Sequence, residues 1–478
     1  VSAIVGDRRH HRRELFVARV AVLIDPHHDY GVAYIETLFQ VWGLQSVCLY
    51  TDRRDAFRNA YRYPELQSAA VAGNYLIEGL SADEIAEHLR AAFEVVAVVP
   101  HVEPNVLLAS ALAQRCGLSW AQPEVLSLFR DKYALKTHLQ AQPDGPRTNK
   151  LAMVRTVEDV RTVLADSAID RYVLKPNDGF GNTGVGILDH DAADAEISRF
   201  LPGPDSPGSL LEEFIEGPEY YVAGQVDGDG RVCVFMIWLS RTVSVNGQPN
   251  VLAEATKVDR GSPVFGALES YVQEVVTATG LRRSPFQADV IVDSTGPCLV
   301  EIGARLIGLS GAVDMNLVHR GRIDVFQIAA HYYLTDEPLG DVNLDWPDYD
   351  ARAFTNVQGI SETAGLIWQL DGVAEVEAMP EFVRWITKPK VGRTLEPTVD
   401  LFTISYRLNL AAPDHERLDS AVARVRDTLV FNGGEPPSRT QARIRSLTGK
   451  ARQAAHALPR ALLMRPRPLA TAVDPSTP

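Results

Sequence analysis

The chain has 478 residues, 46% of them apolar, and a net charge of −14 from 47 Lys and Arg against 61 Asp and Glu. That length holds two to four structural units with cores of their own. Its long apolar runs, such as residues 232–239, stop at about eight residues, far short of the ~20 that span a bilayer. The charge is unevenly spread: residues 436–478 hold eight Arg and Lys against the single acid Asp474, which leaves the remainder at about −21. That balance argues against nucleic-acid binding through the body of the protein. The first fifteen residues are charged without an apolar segment of signal-peptide type. The cysteines Cys48, Cys116, Cys233 and Cys298 are too dispersed for a zinc site or a disulfide framework. A reduced, cytoplasmic protein is expected.

In chain order, "RVAVLIDP" (19–26) reads as a buried strand, "VAYIETLFQVWGL" as a helix and "SVCLYTD" (46–52) as a second strand. "SADEIAEHLRAAF" is a capped helix and "EVVAVVP" another strand, so the N-terminal region alternates as an open parallel α/β unit. "NVLLASALAQRCGL" (105–118) is a helix ended by Gly117, and "TVEDVRTVLAD" (156–166) another. Strand-rich segments follow, then a helix over 263–281 and a strand pair over 286–304 joined by the turn "DSTGP". From about 346 the pattern is α+β, closing with a helix over 415–431, a stop at Asn432-Gly433-Gly434 and a basic tail. The expected units are 1–117, 118–345 with a lid at about 170–215, 346–435, and the tail 436–478.

"VLKPNDGFGNTGVGIL" (173–188) contains G-x-G-x-x-G at Gly179, Gly181 and Gly184. A dinucleotide fingerprint requires a helix opening at the third glycine. Here β-type residues lie on both sides, so the segment is a hairpin. A kinase glycine loop would have its lysine on a later strand and an H-R-D motif downstream. In this chain Lys175 precedes the glycines, and no H-R-D occurs. What remains is a lysine on a strand feeding a loop that covers phosphates.

If the turn after residue 293 centres near Thr295, Asp289 and Glu301 lie directly opposite each other. Like charges there destabilise a hairpin, and a divalent cation removes the penalty. Oxygen ligands of this kind suit Mg²⁺ shared with substrate phosphates. Arg305 brings a cation to the same place, a combination suited to transfer of a γ-phosphoryl group.

Lys132 in "RDKYALKTHL", Lys175 with its glycine hairpin, the acidic strand "LLEEFIEGPEYYV", and then Asp289, Glu301 and Arg305 occur in the order of the ATP-grasp superfamily of carboxylate–amine ligases. The chain resembles that superfamily over about residues 95–345, and "VEPNVLLASALAQRCGL...DKYALKTHL" is similar to its amino-acid and dipeptide ligase branch. The resemblance implies an ATP-grasp fold with an N-terminal parallel α/β domain and a C-terminal α+β domain. It implies ATP and Mg²⁺, or Mn²⁺ in its place, as cofactors. Lys132 and Lys175 would contact ATP, with Gly179, Gly181 and Gly184 closing over the phosphates. Glu212 and the backbone of Phe214 and Ile215 would read the adenine amino group, and Glu219 the ribose. Asp289 and Glu301 would hold the metal. Arg305 would stabilise the transferring phosphoryl group or grip a substrate carboxylate, and Glu103 would pair with a substrate ammonium. Leu306, Leu309 and Ser310 would shape the pocket. The implied reaction phosphorylates a carboxylate, and an amine then displaces phosphate to form an amide. The resemblance implies small-molecule partners, amino acids in this branch, and is compatible with homodimerisation. A ligase for another carboxylate and a non-catalytic ATP-binding regulator are the rival readings.

Three departures stand out. Gly303 replaces the usual Asn two residues after the second metal carboxylate, Asp289 replaces the usual Glu, and no histidine lies between His190 and His319. His27 and His28, after the first strand, are further ligand candidates. In the tail, Ile444, Leu447, Ala451, Ala454 and Leu458 form one helical stripe with basic residues opposite.

Overall fold

The computed structural model describes residues 18–432, apart from 27, 55–67, 121, 166, 168, 180–183, 202, 204–207, 309, 322–323, 336 and 339–345, together with the short strand 467–468. Strands β1 (Ala18–Ile24), β2 (Gln45–Tyr50), β3 (Val71–Leu76) and β4 (Phe93–Pro100) form a parallel sheet in the order β3-β2-β1-β4. In the central strand, Val20 to Ile24 are wholly buried, because helices cover both faces of such a sheet. Ser81 and Glu84 form the capping box of the helix Ala82–Ala92, as the S-x-x-E spacing requires. Strand β3 escapes sequence reading: "VAGNYL" contains Ala, Gly and Asn, which are poor strand formers, and its neighbour β2 specifies it through parallel pairing.

A second sheet, β5 (Leu151–Val154), β6 (Arg171–Pro176), β7 (Gly186–Asp189) and β8 (Ser209–Glu213), is antiparallel in the order β5-β8-β6-β7. It has its own core, including Val160, Leu164, Tyr172, Leu174 and Ile197. The glycine segment joins β6 to β7 as an antiparallel hairpin, and Gly184 adopts φ +74°, where a Cβ is disfavoured. Gly181 lies outside the described residues.

The third sheet contains β9 (Glu219–Val226), β10 (Val232–Val245), β11 (Gln248–Lys257), β12 (Ser284–Asp293), β13 (Gly296–Gly303) and β14 (Ala353–Gln358). Two short ribbons follow, β15 (Gly365–Leu366) with β18 (Thr394–Leu395) and β16 (Leu370–Asp371) with β20 (Val430–Phe431). Strands β17 (Phe382–Thr387) and β19 (Arg407–Ala412) complete the large sheet in the order β13-β12-β9-β10-β11-β14-β19-β17. The segment beginning at 346 therefore extends the sheet of the preceding one. The helix His415–Thr428, capped by Asp414, packs Leu418, Val422 and Val425 against Val357, Leu408 and Leu410. A single apolar core runs without interruption from β1 through the helix Pro263–Thr279 to Phe354. Among the described residues no helix is long and apolar enough to cross a membrane. The tail stripe at 444–458 lies outside them.

Candidate active site

Residues from the carboxyl ends of β1 and β4, from the lid sheet β5-β8-β6-β7 and from the large sheet line one cavity of about 880 Å³. Its wall after β1 is rigid: Asp25, at φ +47°, accepts from Thr51 N and Oγ1 (3.0 and 2.5 Å) and from Asn105 Nδ2 (2.6 Å).

One pole of the cavity is basic. Lys175 reaches inward from β6, and its Nζ lies 2.7 Å from Glu212 Oε2. The other oxygen of Glu212 lies 2.5 Å from Lys136 Nζ, which also donates to Asn149 Oδ1 (2.9 Å). Burial pushes the Glu212 carboxyl up, but Lys136 and Lys175 outweigh it and hold the group down at about 2. Burial, against the pull of Glu212, brings Lys136 down to about 8. Two ammonium groups thus share one carboxylate; burial opposes the Lys175 charge, but Glu212, and beyond it Glu301 and Asp289, hold that ammonium above its ordinary value. Lys136 was missed in the sequence. Its signal was the i, i+4 spacing from Lys132, which puts both lysines on one side of the helix Lys132–Gln140. Glu212, expected at adenine, is committed to the two lysines.

The opposite pole is acidic. Asp289 and Glu301 are register partners across β12 and β13, and Glu219 belongs to the same electrostatic cluster. Burial, then Glu301 and Glu219, push Asp289 well above the carboxylate range. Burial and Glu301 push Glu219 up to about 7. Glu301 is also driven up by burial, but Lys132 and Lys175 outweigh that and bring it down. The register depends on a bulge. The two-residue turn Ser294-Thr295, read straight along the hairpin, would oppose Asp289 to Val300; the extra residue Val300 shifts the pairing to Glu301. The carbonyl of Val300 receives a hydrogen bond from Lys175 Nζ (3.4 Å).

Lys132 joins the two poles. It opens its helix behind the cap Asp131, whose Oδ1 accepts from Ala134 N (2.8 Å) and Asn177 Nδ2 (2.9 Å). Its Nζ lies 3.3 Å from Glu301 Oε2 and donates to Gly179 O at 2.6 Å, tying the glycine loop to the acidic strand.

No protein-family model matches the chain. It is 29% identical to dapdiamide A synthase of Enterobacter agglomerans over 224 residues, 45% of this chain and 52% of the relative. It is 24% identical to the uncharacterized protein y4rH of Sinorhizobium fredii over 296 residues, 60% of this chain and 58% of the relative. The chain spans little more than half the length of these curated relatives. The solved structure of an L-amino acid ligase from Bacillus licheniformis matches it with a TM-score of 0.68 at 18% identity, covering 87% of this chain and 99% of that one. The chain has the ATP-grasp fold. A phosphoribosylglycinamide synthetase from Anaerococcus prevotii shares it, with a TM-score of 0.61 at 12% identity, covering 86% and 99%.

Within this ATP-grasp fold, Arg305 follows β13, with its Nε 2.7 Å from Glu103 Oε2 and its Nη1 donating to Gln287 Oε1 (3.0 Å). Glu103 Oε1 also lies 3.4 Å from Arg130 Nη1. Glu103 is therefore already engaged with two guanidinium groups, where a free carboxylate for a substrate ammonium was expected. Arg130, absent from the sequence candidates, joins the site through the tight turn between two helices. Gly303 has a steric reason: a Cβ there would lie 2.4 Å from Glu103 Oε2.

Phe214 and Ile215 line the ATP-grasp cavity just after β8, with the Arg171 guanidinium 4.2 Å over the Phe214 ring. Leu306 is turned into the core, so Ile307 and Gly308 stand on the wall beside Ser310. Leu309 and His27 lie outside the described residues. His319 is a core histidine, its Nε2 2.9 Å from Phe235 O. His101 lines the cavity instead, stacked on Tyr30 and outside the interval between His190 and His319.

The donor set fits Mg²⁺ with nucleotide. Among the described residues no three His, Cys, Asp or Glu converge to hold a metal ion by themselves. Mg²⁺ characteristically takes one or two protein carboxylates and completes its shell with phosphate oxygens and water.

Proposed function

We propose that the chain is an ATP-dependent carboxylate–amine ligase that joins small molecules, amino acids among them, and releases ADP and phosphate. The observation that carries this reading is the pairing in one cavity of a buried lysine cluster on Glu212 with the buried carboxylates Asp289, Glu219 and Glu301, joined by Lys132. Nucleotide phosphates would meet Lys132 and Lys175, which line the cavity, with Lys136 buried behind Glu212. A divalent cation, held by Asp289 and Glu301, supplies charge neutralisation between carboxylate and phosphate.

In this reading Arg305 stabilises the phosphoryl group as it moves to the substrate carboxylate, a role worth several kcal/mol in a dry site. The amine then attacks the acyl phosphate, phosphate leaves with the bonding pair, and the proton shed by the nitrogen passes to the departing phosphate. Gly179, tethered through Lys132, and Gly184 keep water from the acyl phosphate. Phe214 and Ile215 offer backbone groups to the adenine edge and Glu219 a carboxyl to the ribose. The sequence similarity to dapdiamide A synthase and the shared fold with an L-amino acid ligase support amide formation between amino-acid-like substrates.

The test is phosphate release from Mg-ATP across pairs of amino acids, with mass spectrometry of the products and separation of ADP from AMP. ADP, phosphate and a new amide for a particular pair are expected. AMP as product, or ATP binding without turnover for any carboxylate, would overturn the reading.

A further inference from the structure

The far wall of the cavity is a polar sheet face. Along β14 and β19, Gln358 pairs with Arg407 and Asn356 with Asn409, and Arg384 of β17 pairs with Asn409. The opposite face carries Val357, Leu408 and Leu410 into the C-terminal core. Alternation with period two thus turns a row of amides and guanidinium groups away from that core.

Asp314 supplies the row with its carboxylate, while Asn356 Oδ1 and Asn409 Nδ2 are buried without a hydrogen-bond partner. Asp314 lies 3.0 Å from Arg384 Nη2 and accepts from Asn356 Nδ2 (3.0 Å) and Ser310 Oγ (3.2 Å). Arg407 differs. It is 4% exposed, its Nε donates to Gln358 Oε1 at 2.9 Å, and among the described residues no carboxylate lies within ion-pair distance of it. Arg407, Gln358 and Asn356 all line the cavity. A guanidinium does not shed its charge in a protein, so this one is buried, charged and open to the cavity. Asp314, the acid whose field acts on it, is spent on Arg384.

The ligand chemistry follows. A guanidinium fork matches a planar carboxylate through two parallel N–H···O bonds. A phosphate dianion would call for further cations, and the field of Asp314 opposes the second negative charge. Leu252, Leu401 and Phe402 line the same cavity and offer apolar surface for a side chain.

We propose that Arg407 receives a non-reacting carboxylate of a substrate, so that one of the two joined molecules carries an acid group that takes no part in the bond. This rests on the ligase reading and narrows its substrates. The carboxylate belongs either to an amino acid attacking through its nitrogen or to a diacid donor.

The test is calorimetric titration of the full chain, with and without Mg-AMPPNP, using the proteinogenic L-amino acids and their α-amides; asparagine and glutamine are the side-chain amides of the two diacids. At least one acid binds tenfold or more tightly than its amide. A preference over the α-amide assigns the carboxylate to the amino-acid backbone, and a preference for Asp or Glu over Asn or Gln assigns it to a diacid. Arg407→Gln removes the ratio, Arg407→Lys keeps part of it, and Mg-AMPPNP titration reports whether each variant is folded. A ratio that survives in Arg407→Gln, or no acid distinguished from its amide, overturns the proposal. A second readout needs no variant: the binding acid, and not its amide, protects Arg407 of the wild-type protein from phenylglyoxal, mapped by peptide mass spectrometry. Unchanged modification of Arg407 also overturns it. Failure of Mg-AMPPNP to bind the wild type overturns the ligase reading separately, because the acid-to-amide ratio is also measured without nucleotide.

Discussion

Gly303 lies against Glu103 so closely that a Cβ at 303 would stand 2.4 Å from Oε2, while that same oxygen lies 2.7 Å from Arg305 Nε. The missing side chain and the ion pair are one feature: an Asn at 303 and the pair from Glu103 to Arg305 cannot occupy the same space. The glycine therefore reflects a different wall around Arg305 and leaves the catalytic reading of Arg305 intact.

Gly303→Ala should displace Glu103 from Arg305 and lower stability by about 1–2 kcal/mol, the lower range for overpacking because a side-chain end yields. Turnover should fall at least tenfold. Combined with Glu103→Ala, which vacates the space, the stability loss should be smaller than the sum of the two single losses. Urea denaturation of the four proteins measures the coupling; strict additivity would contradict the contact.

Glu212→Gln would leave Lys136 and Lys175 facing each other without a counter-charge. A loss of about 3–5 kcal/mol is expected, as for breaking a buried pair. Lys136→Met removes the surplus cation and should cost far less, since Lys175 still pairs with Glu212. It should also flatten the pH dependence. With Lys136 at about 8 in the fold and 10.5 ordinarily, the unfolded chain binds more protons between those values, so its contribution to stability rises with pH across that window. Denaturation of wild type and variant from pH 7.5 to 10 checks the sign.

The acidic pole predicts a metal effect with the opposite proton linkage. Glu219 sits at about 7 against an ordinary 4.5, so the folded state holds the extra proton between these values and its contribution to stability falls as pH rises through them. Mg²⁺ held by Asp289 and Glu301 would offset the negative charge that pushes Glu219 up and so favour loss of that proton. Melting temperatures should rise with millimolar Mg²⁺ at pH 8 and hardly move at pH 5. Asp289→Asn should abolish the rise and raise the melting temperature of the metal-free protein. A Mg²⁺ response unaffected by Asp289→Asn would place the ion elsewhere.

Lys175→Ala should weaken ATP by at least tenfold, or about 1.4 kcal/mol, because the phosphate pole loses one of its two cations. Calorimetric titration with AMPPNP measures it. Unchanged affinity would move the nucleotide away from this lysine.

Much of this site was legible because it depends on short-range chemistry. The glycine hairpin follows from β-type residues on both flanks of Gly179 and Gly184, the helix Ala82–Ala92 from its capping box, and the order of Lys132, Lys175, Asp289, Glu301 and Arg305 is a property of the chain itself. The face shared by Asp289 and Glu301 was expected from a turn near Thr295. It is realised through a tighter turn and a compensating bulge at Val300, and a one-residue slip would have turned one carboxylate away.

By itself the sequence determined the elements that carry their own local signals, such as the first strand and the capped helix Ala82–Ala92, and which residues could carry charge to phosphate and metal, because periodicity, capping and turn chemistry act over a few residues. The tertiary structure decided which charges are left over. That Glu212 is spent on Lys136 and Lys175, that Glu103 is spent on Arg305 and Arg130, and that of the two guanidinium groups in its row Arg407, unlike Arg384, lacks a carboxylate among the described residues depends on contacts up to some 200 positions apart. Burial and pairing are properties of packed neighbours, and the chain order does not contain them.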